Sequence, residues 1–262
     1  MTHDVALLAV RGVVVRFGGV VALNGVSFDV PHGAICGLIG PNGSGKTTLF
    51  NCISGFYRCD EGDILFEGRT LTGQKRHRVV DFGIGRTFQN VALFRAMSVR
   101  ENILVGTHHL ASAGFVAHAL RLARARAEEQ HAADKTADVM RLLELDTVAD
   151  TPVAALPFGT QKRVELARAL VSAPKLLLLD EPAGGLTHSE VDELGDLIQG
   201  IRETFKLAVL LVEHHMSLVM RVSEKVIALE QGQKIADGTP DEVRNEPEVI
   251  RAYLGEEAVH GG

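Results

Sequence analysis

The sequence predicts an α/β fold: a mainly parallel core sheet, an antiparallel β layer at the N-terminal end, and an inserted α-helical subdomain. Three observations carry this expectation. Ala34-Ile35-Cys36-Gly37-Leu38-Ile39, Leu176-Leu177-Leu178-Leu179 and Leu207-Ala208-Val209-Leu210-Leu211-Val212 are short apolar runs of the kind buried on both faces in parallel sheets. Residues 5–30 instead carry strand-like runs separated by Gly18-Gly19 and Pro31-His32-Gly33, which are turn signals. From Ser98 to Val148 glycine thins out and Ala, Arg, Leu and Glu dominate, with apolar residues at helical spacing. One domain over residues 1–262 is expected, with the helical subdomain at about 92–173.

Taken in order, Ala6–Val10, Val13–Phe17 and Val26–Val30 read as three strands. The Ala34–Ile39 run leads into Gly40-Pro41-Asn42-Gly43-Ser44-Gly45-Lys46-Thr47-Thr48, which fits G-x-x-x-x-G-K-[ST]. Leu49, Phe50 and Ile53 then share one face of a helix. Strand, glycine loop and helix follow in the order a phosphate-binding loop requires. Glycines allow close approach and unusual torsions, so loop amides converge on phosphate oxygens at the positive end of the helix. Lys46 supplies a compact cation for the phosphates, and the Thr47 hydroxyl suits Mg²⁺.

Gly62–Gly68 reads as a further short strand and Ile84–Gln89 as a core strand. Its terminal Gln89 stands where an open α/β sheet can meet ligand or metal, although taken alone it is more often an ordinary loop residue. In the helical region Val139, Met140, Leu142, Leu143 and Leu145 recur at helical spacing. After Pro152 and Pro157 a helix runs from about Gly159 to Ala173, with Val164, Leu166, Ala167 and Leu170 on its apolar face. The four leucines 176–179 end in Asp180 and Glu181, which emerge on the side where the glycine loop opens. Asp180 suits Mg²⁺, directly or through water, and Glu181 suits orientation or deprotonation of an attacking water. Glu190–Phe205 is expected to be helical, and the run ending at Val212 is followed by Glu213-His214-His215. His214 is thereby placed where it could reach a terminal phosphate or water, although a strand-end histidine taken alone is more often structural. Lys225–Glu230 and Lys234–Ala236 flank a hairpin turn, and Thr239 caps a short helix from Pro240 with Glu242 in its first turn.

Composition excludes several classes. The chain has 33 acidic and 27 basic residues, a net charge of −6, and no basic block for a nucleic-acid footprint. No apolar run approaches the length of a membrane span, and the Met1–Val5 start lacks the regions of a signal peptide. Cys36, Cys52 and Cys59 have no zinc-type spacing and read as reduced thiols of a cytoplasmic protein.

In order and spacing, this set resembles the ATP-binding subunit of ABC transporters across almost the whole chain. The resemblance implies a RecA-like P-loop core. It implies that Phe17 stacks on adenine, that Gly40–Thr48 is the Walker A loop, and that Gln89 senses Mg²⁺ and faces a membrane subunit. Asp180 and Glu181 match the Walker B pair, and His214 the switch histidine. Catalysis is thus expected from Glu181, His214 and Gln89, with Mg²⁺ held by Thr47, Gln89 and Asp180. Arg86–Asn90, Met97–Gly106 and the segment from Gly238-Thr239-Pro240 through Ala252-Tyr253-Leu254-Gly255 are similar to the branched-chain amino-acid importers. The long helical stretch after Gly106 looks more like the larger of their two ATPases. Such a family member hydrolyses ATP at the cytoplasmic membrane face, with two permeases, a second ATPase (copy or paralogue) and, indirectly, an extracytoplasmic binding protein. Nucleic acid is not among the expected partners. The alternative is a soluble ABC-type ATPase acting on nucleic acid or ribosomes, which usually carries fused tandem domains or a coiled-coil insertion. A phosphotransferase, a further alternative, needs an acceptor site.

One motif departs from the family pattern. Where Leu-Ser-Gly-Gly-Gln is usual, this chain has Leu156-Pro157-Phe158-Gly159-Thr160. In the family this segment caps the γ-phosphate held by the opposite subunit. The serine hydroxyl and the first glycine are missing, so Phe158, Gly159 and Thr160 are left to cap through helix amides, with weaker closure. Proline is tolerated at or just before the first helical position.

Overall fold

A computed structural model describes residues 6–87, 92–107 and 123–260. The chain divides into two compact units, residues 1–86 with 175–262, and residues 87–174.

The first unit contains two sheets. In the antiparallel one, β1 (Leu8–Phe17) lies between β2 (Val20–Val30) and β4 (Glu61–Phe66), with the two-residue β5 (Arg69–Thr70) at the edge. The sequence divides residues 6–17 into two strands, whereas one continuous strand forms. Gly12 takes a left-handed φ of 57° inside β1, the register shifts around it, and its amide donates to the Ser27 hydroxyl at 2.7 Å. This is a β-bulge, which interrupts the alternation without ending the strand.

The second sheet runs β10-β9-β3-β8-β7-β6. Its parallel strands are β3 (Ile35–Ile39), β6 (Ile84–Arg86), β7 (Leu176–Asp180), β8 (Ala208–Val212) and β9 (Lys225–Glu230). Every residue of β3, β7 and β8 is buried, as expected for strands covered on both faces. β10 (Gln233–Gly238) returns antiparallel through Gln231 and Gly232, whose φ values of 47° and 79° suit a two-residue hairpin turn. Strand β6 ends at Arg86, and the expected end at Gln89 lies outside the described residues.

Helix α1 (Lys46–Ile53) packs Leu49, Phe50 and Ile53 into a core that also takes Val13, Leu23 and Phe28 from the antiparallel sheet and Leu38, Leu178 and Leu210 from the parallel one. Each such side chain contributes about 1.5–3 kcal/mol by leaving water. Among the short elements, α2 spans Arg76–Val79. Burial pushes the Cys36 thiol up to about 12, and all three cysteines are free.

The second unit is helical: α3 (Val99–Val105), α4 (Ala123–Leu142) and α5 (Phe158–Leu170). Val139, Met140, Leu143 and Leu145 are buried, as are Val164, Leu166, Ala167 and Leu170. Ser98 caps α3 in a reciprocal box with Glu101. The fully buried Asn102 accepts from Phe94 N at 2.8 Å and donates to Phe94 O and Ser98 O at 3.0 and 2.9 Å, pinning the preceding loop.

Back in the first unit, α6 (His188–Phe205) begins two residues before its expected start, because Thr187 and Glu190 form a capping box. It is followed by α7 (Met216–Val222) and α8 (Pro240–Arg244), then α9 (Pro247–His260). The cap read from Thr239, Pro240 and Glu242 forms as expected.

Candidate functional site

Strand register sets where the site sits. Leu38 of β3 pairs with Val212 of β8, and Val212 pairs with Asp180 of β7. Three adjacent parallel strands therefore end level, and the loops leaving them share one edge of the sheet.

After β3, Gly40 has a φ of 150°, and a Cβ there would meet Leu229 O at 2.1 Å and the Ser44 hydroxyl at 2.6 Å. Gly45, the N-cap of α1, has a φ of 105°, and a Cβ would meet Ala22 O and Leu23 Cδ2, each at 2.7 Å. Neither position admits a side chain. The loop is further held by Gly232 N donating to Ser44 O at 3.0 Å, while Gly232 O accepts from Asn24 N at 2.8 Å. Lys46, 5% exposed, donates from Nζ to Gly40 O at 2.7 Å and Pro41 O at 2.9 Å. Asn42, Gly43 and Thr47 are exposed, and Pro41 and Thr48 partly so. The Ser44 hydroxyl is buried without a hydrogen-bond partner among the described residues, and α1 carries no acidic residue in its first turn. An unpaired buried hydroxyl beside a lysine and a helix N-terminus fits a phosphate group, which supplies the missing acceptor.

After β7, Asp180 is buried, 4% exposed, and its Oδ2 accepts from Arg86 Nη2 at 2.8 Å. The other guanidinium arm, Nη1, donates to Asn51 Oδ1 at 2.9 Å and Ser54 Oγ at 3.0 Å on and just after α1. Arg86 thus ties the loop helix to the acidic strand end. Glu181 follows with a left-handed φ of 48°, its amide donating to Val212 O at 2.9 Å. Its Oε1 lies 2.7 Å from His214 Nε2. With Glu181 ionised, Nε2 is the donor. Between β8 and His214 stands Glu213, a buried carboxylate with both oxygens engaged by backbone amides.

The comparisons with known proteins fit this arrangement. Residues 23–184, more than half of the chain, match the sequence profile of the ABC transporter family. The chain belongs to that family, among its ATP-binding ATPase proteins. Residues 233–259 match a second profile, the branched-chain amino acid ATP-binding cassette transporter. The high-affinity branched-chain amino acid transport ATP-binding protein LivG of Salmonella typhimurium is 44% identical over 250 residues, 95% of this chain and 98% of that protein. BraF of Pseudomonas aeruginosa, which bears the same description, is 41% identical over the same shares. Among solved structures, the ADP conformation of an ATP-binding cassette of an ABC transporter superposes with a TM-score of 0.83 at 30% identity, covering 95% of this chain and 99% of that one.

Within this ABC ATPase, Phe17 is 46% exposed at the tip of the β1–β2 hairpin, edge-on to Tyr57 with ring centroids 5.2 Å apart. Leu23 and Ala22 of the same hairpin abut Gly45, so hairpin and loop are neighbours. Gln89 lies outside the described residues. In the helical unit Pro157 is the N-cap of α5, and Phe158, Gly159 and Thr160 form its first turn. The first intrahelical bond runs from Gln161 N to Pro157 O at 3.0 Å, leaving the amides before it free of helix partners.

Sequence reasoning missed Arg86 and Glu213. The signals were present, a lone arginine closing an apolar strand and a glutamate directly after one, but their partners lie far along the chain. Arg86→Leu is expected to remove the guanidinium that pairs with buried Asp180 at 2.8 Å. Breaking a buried pair from one side costs about 3–5 kcal/mol. At about 2–4 °C per kcal/mol for a chain of this size, the midpoint of thermal unfolding should fall by roughly 10 °C. A shift below 3 °C in a melting curve would show that Asp180 needs no cation there.

Proposed function

We propose that this chain is the ATP-hydrolysing subunit of an importer for branched-chain or related amino acids, working at the cytoplasmic face of the membrane. The observation that carries the ATPase chemistry is the meeting of a glycine-built phosphate cradle with the Glu181–His214 pair at one edge of the sheet. The solute class rests on the match of residues 233–259 and on the descriptions of the relatives. Among the described residues, no helix is long and apolar enough to cross a membrane, which is why the permeation path is assigned to partner subunits.

In this reading, Phe17 stacks on the adenine of ATP. Gly40–Thr48 wraps its phosphates, with Lys46 turning from the loop carbonyls to the β- and γ-phosphates and the Ser44 hydroxyl gaining its acceptor. Thr47, Asp180 and Gln89 would hold Mg²⁺, a set of oxygen donors suited to that hard cation. When bound, it neutralises charge on the phosphates. Glu181 takes the proton of the attacking water, and His214 fixes the carboxylate and contacts the γ-phosphate. A second ATPase subunit presents its Phe158–Thr160 equivalent across a dimer, where amide donors alone replace the usual hydroxyl. Closure around ATP and opening after hydrolysis then drive two permease subunits, with solute delivered by an extracytoplasmic binding protein. Transport work comes from the difference in nucleotide contacts between open and closed states.

The test is the complete complex in proteoliposomes, with its permeases and binding protein. ATP turnover should rise several-fold when leucine, isoleucine or valine is added on the binding-protein side. Turnover that ignores amino acids but responds to another solute class would refute the assigned cargo while leaving the ATPase intact.

A further inference from the structure

We infer that Glu213 is a positioning residue for hydrolysis, holding Glu181 and His214 at their mutual distance. The inference rests on the catalytic reading of those two residues. Glu213 is 1% exposed and follows β8 directly. Its Oε1 accepts from Ala183 N at 2.6 Å, in the turn two residues beyond Glu181. Its Oε2 accepts from His214 N at 2.9 Å and His215 N at 3.3 Å. One buried carboxylate therefore clamps two loops: the turn carrying Glu181 and the segment carrying His214.

The clamp closes a circuit. The turn at Glu181 starts with its amide on Val212 O at 2.9 Å and folds back through Gly184 N on Glu181 O at 3.2 Å. Ala183, fully buried, is fixed to Glu213, and Glu213 to the backbone of His214. The imidazole of His214 returns to Glu181 at 2.7 Å. Every link but the last is backbone or buried carboxylate, so the Glu181–His214 distance follows from where Glu213 stands.

A carboxylate is the chemistry this position demands. It accepts on both oxygens, and bonds to an ionised acceptor are about twice as strong as neutral ones. Glutamine matches its shape but has one acceptor oxygen. Its NH₂ must point at either the Ala183 or the His214 N–H, donor against donor, and one loop is released. Misplacing a reacting group by about 1 Å can cost on the order of a hundredfold in rate. Most of the phosphate contacts assigned above come from residues 40–48, which lie in neither loop.

The test is Glu213→Gln in the full-length chain, comparing single-turnover ATP hydrolysis with ATP affinity, alongside His214→Ala and the double variant. Glu213→Gln should lower the hydrolysis rate roughly ten- to a hundredfold with ATP affinity within twofold of the unsubstituted chain. If Glu213 acts through His214, the double variant loses little more than His214→Ala alone. A rate within twofold, a parallel loss of ATP affinity, or fully additive losses would overturn the positioning role. If His214→Ala itself leaves the rate intact, the catalytic reading falls instead. Should Glu213→Gln not fold, Glu213→Asp carries the same comparison, because it keeps the charge and shortens the reach by one methylene.

Discussion

Lys46→Ala is expected to weaken ATP binding by about two to four orders of magnitude while leaving the fold in place. Lys46 is the one cation inside the glycine loop and is 5% exposed, so solvent screens its pull on a phosphate little. Its ammonium already lies 2.7 and 2.9 Å from two loop carbonyls, which keeps it in the cradle instead of free in water. Removing one member of such a charged contact costs about 3–5 kcal/mol, and each 1.4 kcal/mol is tenfold in affinity. The α1 helix that follows is held by Leu49, Phe50 and Ile53, none of which the substitution touches. Calorimetric titration with ATP measures the effect directly, with a melting curve as the control for folding. A dissociation constant within threefold of the unsubstituted chain would remove Lys46 from the phosphate site.

The parts of this protein legible in its sequence are those set by local composition. Three all-apolar runs give β3, β7 and β8, because a strand buried on both faces has no reason to alternate. The loop at 40–48 is legible because close approach at Gly40 and Gly45 admits no other residue. The cap at Thr239 is legible because donor and acceptor lie three residues apart. What escaped depends on distant partners or a local exception to a period. Gly12 bulges β1, so one strand reads as two. The Thr187–Glu190 box starts α6 earlier than its apolar pattern does. Arg86 meets Asp180 only once β6 lies beside β7, and Glu213 meets Ala183 only once β8 does. Neither pairing leaves a trace in the periodicity of the chain. Site chemistry was thus readable as residue types, while the scaffolding behind it required the folded sheet.

Glu181→Gln is expected to keep ATP affinity within about twofold and to slow hydrolysis by roughly two to four orders of magnitude, the usual contribution of a positioned base. The substitution changes no volume and leaves Lys46, Ser44 and Asp180 untouched, so the groups assigned to nucleotide and Mg²⁺ remain. What it removes is the ability of the side chain at position 181, just past β7, to accept a proton. The left-handed backbone at Glu181 is retained, since the turn is held by Val212 O and by Ala183 on Glu213. The amide oxygen can still face His214 Nε2 across the 2.7 Å contact, so the local geometry survives the loss of charge. In the proposed dimer, a variant that binds ATP and hardly turns it over should also stay closed around ATP for longer. Phosphate release and ATP titration on the same preparation separate the two steps. A turnover rate above half that of the unsubstituted chain would mean the water is activated elsewhere. Loss of rate and affinity together would instead make Glu181 a binding residue, and the base would have to be sought among the groups that face the same edge of the sheet.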